Sequence, residues 1–390
     1  MSSRPRVAVL TTGRQDFGIL RSTIQLLALS ETIALELWAG GMHLSASHGR
    51  TVERLRADEF SVTREIPFPV DDMLSGTAAA LSAVGETLRD APPDALMLVG
   101  DRWETAAAAL AAVILRVPVV HLHGGEETEG AIDNALRHAI TKLSALHLVS
   151  HADHAARVVQ MGEDPSRVIV VGAPGLDNLY RNDLPTSETV ATRLGVSLPD
   201  PILLVTVHPA TLSGDTLAEV LAVSAALEGF GGTIVVTQPN ADAGGAEIRA
   251  YWRRWAVGRP NVAVVDALGE ENYWALLRRC VAVVGNSSSG LIEAPAAGVP
   301  SINVGDRQRG RLRSSSTVDV ACDAAEVRRA LEAVLTPEAL TTAKNAPAVY
   351  PRGTAAPRIV RALEAWLPER SSVKSFRSFP QARAFLEAAP

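Results

Sequence analysis

Cysteine is almost absent from these 390 residues: Cys280 and Cys322 are the only two, and they lack the CxxC spacing of a redox or zinc motif. A disulfide scaffold is therefore not what holds the fold. Two small buried thiols in a reducing compartment are the expected arrangement, with a single disulfide between them left open. No apolar stretch comes near the roughly 18 residues a membrane span requires. The N-terminal MSSRPRVAVLTTGR runs straight into a strand-like segment, without the apolar region and small-residue cleavage site of a secretory leader, so a soluble, cytoplasmic protein is expected. Basic tracts are missing too, and with a net charge of −6 nucleic acid and membrane are not expected partners. An anionic ligand must then be held by local groups. The first strand is followed by TTGRQDFGIL rather than GxGxxG, and GxxxxGK[ST] occurs nowhere, which argues against nicotinamide and ATP chemistry. Six of the nine histidines lie between His121 and His154, but catalytic zinc needs about three converging ligands and His151 and His154 begin a separate element. No metal and no cofactor are expected.

What is present is a repeated α/β pattern. Val/Ile/Leu-rich runs (RVAVLTT, ALELWAG, ALMLVG, VPVVHLHG, LHLVS, RVIVVG) alternate with Ala/Leu-rich helical stretches, and a second series follows (PILLVTVHP, GTIVVTQPN, VAVVDAL, VAVVGNSS, PSINVG). Continuously apolar strands separated by helical lengths belong to parallel sheets covered on both faces. The length suits two such domains of about 180 residues. The fold class expected is α/β, with two Rossmann-like doubly wound domains facing across a cleft. Residues 1–180 form the first domain, the polar, proline-bearing 181–200 the linker, 201–365 the second domain, and 366–390 a tail or a helix crossing back to the first.

Ligands of open α/β sheets bind beyond the carboxyl ends of the strands. Seven polar, glycine-punctuated loops fall there: GRQDF, GDRWE, HGGEETEGAID, HPATL, PNADAGG, NSSSG and GDRQRGR. NSSSGLIEA places Ser287, Ser288 and Gly290 where a strand turns into a helix, and amides at such a turn bind phosphate without lysine. One serine there is explained by ordinary N-capping. Arg307, Arg309, Arg311 and Arg313, opening after a strand of an acidic chain, suit a pyrophosphate, although some of the four belong to the solvated surface. Glu293 either complements its helix dipole or grips the two hydroxyls of a ribose. In the first half, Glu126, Glu127, Glu129 and Asp133 crowd one loop with Asp101 on the neighbouring strand end, and crowded carboxylates raise one another's pKa and yield acid/base pairs. His121 and His123 share a face if their strand continues. His208, ending a strand before a proline, is read as a phosphate contact or an acid/base group.

At these residues the chain resembles the bacterial hydrolysing UDP-N-acetylglucosamine 2-epimerases of the sialic and legionaminic acid pathway type. The resemblance runs from about Arg6 to about Tyr350. It is carried by HGGEETEGAIDNALRHAITKLSALHLVSHADHAARVVQMGEDPSRVIVVGAPGLDNL, PNADAGG and VGNSSSGLIEAPAAGVPSINVGDRQRGR. It implies a glycosyltransferase-B type fold, a homodimer or homotetramer, and a UDP-sugar bound between the domains without metal or nicotinamide. Residue by residue it implies catalysis by Asp101, Glu126 and Asp133, with His208 at the phosphates. For UDP it points to Arg14, Arg102, Asn240, Ser287, Ser288, Glu293 and Arg307, with Asp16, His123 and Gly290 as further members of the site. There is one departure: where some members read HxEGGE, this chain reads HLHGGEE, with His123 in place of a catalytic glutamate. The glutamate's role must pass to Glu126 or be shared by His123, and the sugar itself can differ.

The reaction expected is conversion of UDP-N-acetylglucosamine to N-acetylmannosamine and UDP. The C2 proton is too weakly acidic to be taken from the ground state, so the C1–O bond loosens first and a carboxylate then removes it, giving a 2-acetamidoglucal that is rehydrated. The alternatives are the same chemistry on UDP-2,4-diacetamido-2,4,6-trideoxyglucose, a retaining UDP-sugar glycosyltransferase, and a nucleotide-sugar-binding regulator.

Overall fold

The computed structural model describes residues 4–128, 132–209, 216–239, 244–266, 268–350 and 353–378. They fall into two compact units, one drawn from Met1–Glu126, Ile132–Asp177 and Gly353–Pro390, the other from Glu127–Ala131 and Asn178–Arg352.

The first unit is built on seven parallel strands: β1 (Arg6–Thr11), β2 (Ala34–Gly40), β3 (Val62–Ile66), β4 (Ala95–Val99), β5 (Val119–Leu122), β6 (Leu146–Val149) and β7 (Val168–Val170). They lie in the order β3-β2-β1-β4-β5-β6-β7, so the direction of winding reverses between β1 and β4. The crossovers carry α1 (Arg14–Ala28), α2 (Val52–Ala57), α3 (Met73–Asp90), α4 (Trp103–Ile114), α5 (Ile132–Leu143) and α6 (Ala152–Gln160). Each central strand is apolar on both faces because both are covered. Val7, Val9 and Met97 pack with Leu20 and Ile24 on one side, while Ala8, Leu96 and Leu98 pack with Val84 and Ala108 on the other. The edge strand β3, read VTREI, was not among the runs recognised by apolar content, since charged residues alternate through it.

The second unit begins with α7 (Ser187–Leu194). Its six parallel strands are β8 (Ile202–Thr206), β9 (Thr233–Thr237), β10 (Val262–Val265), β11 (Ala282–Gly285), β12 (Ser301–Val304) and β13 (Thr317–Val320), ordered β10-β9-β8-β11-β12-β13. The helices that follow are α8 (Ala218–Ala226), α9 (Gly245–Ala256), α10 (Glu270–Leu277), α11 (Ser289–Ala296), α12 (Ala324–Val334) and α13 (Pro337–Asn345). Here too the winding reverses beside the first strand of the sheet, between β8 and β11. Gly285 at the end of β11 has φ +139°, and a Cβ there would lie 1.9 Å from the Thr206 carbonyl oxygen, so only glycine lets the two strand ends approach.

The last helix, α14 (Ala355–Trp366), packs in the core of the first unit through Ile359, Leu363 and Trp366. Asp177 receives the backbone N–H groups of Ala355 and Ala356 at 3.1 and 2.7 Å. Sequence pattern alone had carried the second domain to residue 365; an amphipathic helix announces a buried face without saying which core it joins. Beyond it, Lys374 donates to Glu163 at 2.7 Å and to the Ser144 carbonyl at 2.8 Å, and the Phe376 ring lies over Gly162. Cys280 is buried, and burial pushes its thiol up to about 12, whereas Cys322 is exposed, against the expectation of two core thiols. Among the described residues no helix is long and apolar enough to cross a membrane.

Candidate active site

In the first unit, β4 ends at Val99 and Gly100 turns the chain in the left-handed region at φ +78°. Asp101 and Arg102 follow, directly before α4. The Asp101 carboxylate is paired with the guanidinium of Arg137, whose side chain is almost wholly buried. Arg137 lies on α5, four residues after Asp133 and therefore on the same helical face. Arg102 donates from Nε and Nη2 to the two oxygens of the buried Glu104, at 3.2 and 2.8 Å, and its charge is felt by Asp16 and Asp133. Asp16 is buried in the first turn of α1 and receives the N–H and hydroxyl of Thr12 at 2.8 and 2.6 Å. Burial raises its pKa, opposed by those bonds and by Arg102. Arg14, at the opening of α1, is exposed.

The strand carrying the histidine pair stops at Leu122, so the shared face expected of His121 and His123 is not formed. His121 is fully buried with Nε2 at 2.7 Å from the Gly100 carbonyl, and burial lowers it to about 3, leaving a neutral ring that donates to that oxygen. His123 adopts φ +64°, unusual for any residue but glycine, and its Nδ1 lies 2.6 Å from Glu126 Oε1. The same oxygen accepts the Ser150 hydroxyl at 2.8 Å, and Ser150 Oγ lies 2.8 Å from His154 Nδ1. Gly125 is indispensable to this turn, since a Cβ there would meet the His154 carbonyl oxygen at 2.3 Å.

In the second unit the loops after β8, β11 and β12 are tied together by one buried amide. Asn286 accepts the His208 N–H at 2.7 Å through Oδ1 and donates to the His208 carbonyl at 2.9 Å. Its own carbonyl oxygen accepts Gln308 Nε2 at 2.9 Å and Arg307 Nη1 at 3.3 Å. Ser288 occupies the N-cap position of α11 without a capping bond from its side chain, and Ser287 Oγ accepts the Ser289 N–H only at 3.4 Å. Gly290 is buried in the first turn of the same helix. Glu293, one turn on, is raised by burial, with a hydrogen bond from Ser289 and the charge of Arg311 opposing. The four arginines separate: Arg309 pairs with Asp306 at the surface, Arg313 with Asp319, and Arg311 donates to Thr128 at 3.1 Å.

In the first unit Arg102 lies beside Asp101 in sequence and within reach of the charges of Asp16 and Asp133, while the His123–Glu126 pair stands in the turn after β5 with Ser150 and His154; in the second, Asn286 ties His208 to Arg307 beside the Ser287, Ser288, Gly290 and Glu293 segment. Asn240 and Glu129 lie outside the described residues. Arg137, Ser150 and Asn286 were missed as members of these groups. The i, i+4 spacing of Asp133 and Arg137 was a usable signal for the first of these; the other two are brought in by tertiary contacts that no spacing encodes.

A family model described as UDP-N-acetylglucosamine 2-epimerase matches residues 27–364. The chain is 35% identical over 321 residues to a UDP-N,N'-diacetylbacillosamine 2-epimerase (hydrolyzing) of Legionella pneumophila, covering 81% of this chain and 85% of that protein. It is 32% identical over 325 residues to a GDP/UDP-N,N'-diacetylbacillosamine 2-epimerase (hydrolyzing) of Campylobacter jejuni, covering 81% and 84%. In fold it is similar to the UDP-GlcNAc 2-epimerase of Methanocaldococcus jannaschii, solved with UDP-GlcNAc and UDP, at a TM-score of 0.79 and 17% identity over 92% of this chain and 99% of that one. The two parallel sheets with interleaved helices are those of the glycosyltransferase-B architecture.

Proposed function

The chain belongs to the UDP-N-acetylglucosamine 2-epimerase family, and from that premise we propose that it is a hydrolysing 2-epimerase, converting a UDP-linked 2-acetamido sugar to the free C2 epimer and UDP. The observation that carries the reading is the acid/base group at the carboxyl ends of β4 and β5: Asp101 held by Arg137, Asp133 one helical turn away, and Glu126 hydrogen-bonded to His123. The second unit contributes Ser287, Ser288, the amides opening α11, Arg307 and His208 to the diphosphate, and Glu293 to the ribose. Arg14, Arg102 and Asn240 are assigned the remaining contacts to UDP, with Asp16 and Gly290 as further members of the site. As the C1–O bond breaks, UDP departs with the electron pair and a base of the first unit takes the C2 proton, leaving a 2-acetamidoglucal. Water then supplies hydroxide to C1, and an acid returns a proton to the other face of C2. The names of the Legionella and Campylobacter relatives support UDP-2,4-diacetamido-2,4,6-trideoxyglucose, which is UDP-N,N'-diacetylbacillosamine, as the substrate, beside the UDP-N-acetylglucosamine expected first.

Because the proton at C2 of the product comes from solvent, turnover in D2O places one deuterium there. Purified protein is given each UDP-sugar in D2O, UDP release is quantified, and the sugar is examined by proton NMR. A manno-configured product deuterated at C2 is expected. A gluco-configured, C2-protiated sugar, or UDP release that requires an added acceptor, would overturn the proposal in favour of hydrolysis or glycosyl transfer.

A further inference from the structure

The turn that ends β5 holds a proton-transfer device whose parts have separate tasks. Neutral imidazole has one N–H donor and one lone pair, and which nitrogen carries the proton is set by the partner of the other. His123 Nδ1 faces a carboxylate oxygen at 2.6 Å, so Nδ1 carries the proton and Nε2 the lone pair. That Nε2 is buried and has no hydrogen-bond partner among the described residues. His121 on the same strand, by contrast, has both nitrogens engaged, by the Gly100 carbonyl and Thr141. The backbone of His123 is held in the left-handed region, where L residues rarely sit, by a turn whose next two residues are the closely packed Gly124 and Gly125. Glu126 is fixed in turn by the Ser150 hydroxyl, itself beside His154.

The geometry points to a division of labour in the epimerase reaction: His123 Nε2 is the group that exchanges the proton with C2, and Glu126 is a positioning residue that fixes the tautomer of His123 and balances the imidazolium. This rests on the epimerase reading and assigns roles within it. In the first half-reaction the C2–H electron pair becomes the C1=C2 double bond, UDP leaves with the C1–O pair, and the proton passes to Nε2, from which it is lost to solvent. In the second, a carboxyl of Asp101 or Asp133 gives its proton to the opposite face of C2 while water gives hydroxide to C1, and the proton left from that water restores the carboxyl. The titratable and charged groups around the pair are His121 on β5 and His154 and Arg157 on α6. Burial lowers His121 to about 3 and His154 to about 4, so both stay uncharged at neutral pH and neither competes with His123 for the role of cation.

The test compares wild type with His123→Asn, Glu126→Gln and Glu126→Asp. Asparagine is at home in the left-handed region, so the turn survives in the first variant, and UDP affinity by calorimetry checks folding in all of them. Expected are UDP affinities within about twofold of wild type, and a loss of UDP release and C2 deuteration of about 10²–10⁴-fold in His123→Asn. Glu126→Gln still accepts from Nδ1 but has no charge to balance the imidazolium, so its kcat falls with KM unchanged; Glu126→Asp restores the charge and recovers most of the turnover. A His123→Asn variant within threefold of wild type, or a Glu126→Gln variant whose turnover matches wild type or is not recovered by Glu126→Asp, overturns the assignment while leaving the epimerase reading intact. Wild type that releases UDP without deuterating C2 overturns both.

Discussion

Replacing Arg137 with methionine keeps most of the side-chain volume and removes its charge, which tests whether this arginine sets the state of Asp101. The Arg137 side chain is 3% exposed and that of Asp101 21%, so the carboxylate would be left with limited access to water. Breaking a buried ion pair from one side costs about 3–5 kcal/mol; the partial exposure of Asp101 brings this case to or below the bottom of that range, about 2–3 kcal/mol. At about 2–4 °C per kcal/mol for a unit of this size, the apparent Tm should fall by about 4–12 °C. Without the guanidinium Asp101 also loses its fixed position, so UDP release should fall in the same variant. Thermal unfolding and UDP release measured on the same preparation give both results. The double variant Arg137→Met/Asp101→Asn should recover much of the lost stability, because a neutral amide needs no counter-charge, while remaining inactive. Should Arg137→Met melt within about 1 °C of wild type and release UDP at the wild-type rate, the pair contributes nothing and the account of Asp101 is wrong.

Glu163 gives a pH dependence in the C-terminal segment: burial opposes its ionisation, but hydrogen bonds from His147, Lys142 and Lys374 hold it at about 2. With the folded value below the ordinary carboxylate range, its stabilisation is fully present above about pH 4.5 and is lost as pH falls toward 2. Hydrogen exchange should accordingly show residues 371–378 losing protection across that interval, and Glu163→Gln should loosen them at neutral pH; equal protection in both proteins would contradict the clasp. On the phosphate side, Arg307→Ala and Ser288→Ala should each weaken UDP binding by about 1.5–3 kcal/mol in calorimetry, the value of a charge-assisted hydrogen bond. Unchanged affinity in both would remove the α11 loop from the binding site.

Periodicity and composition made the two parallel sheets legible, because a strand buried on both faces must be apolar at every position, as ALMLV and ILLVT are. The same rule hid the edge strands VTREI and TVDV, which are covered on one side only and carry charge. The loops that bear Asp101, Asp133, His208 and Ser288 were legible from their positions after those strands, since the carboxyl ends of a parallel sheet are where polar turns collect. Tertiary structure alone decided which polar groups meet. Nothing in the spacing of the chain pairs Asp101 with Arg137, or sets the amide of Asn286 against the backbone of His208, 78 residues away. The sequence left open whether His123 or Glu126 replaces the glutamate that the resemblance implies; the left-handed turn at His123 sets the two side by side, joined by one short hydrogen bond. Local pattern reports how a residue's own element is buried. A contact across elements depends on where two independently formed pieces of chain come to rest, and only the packed core fixes that.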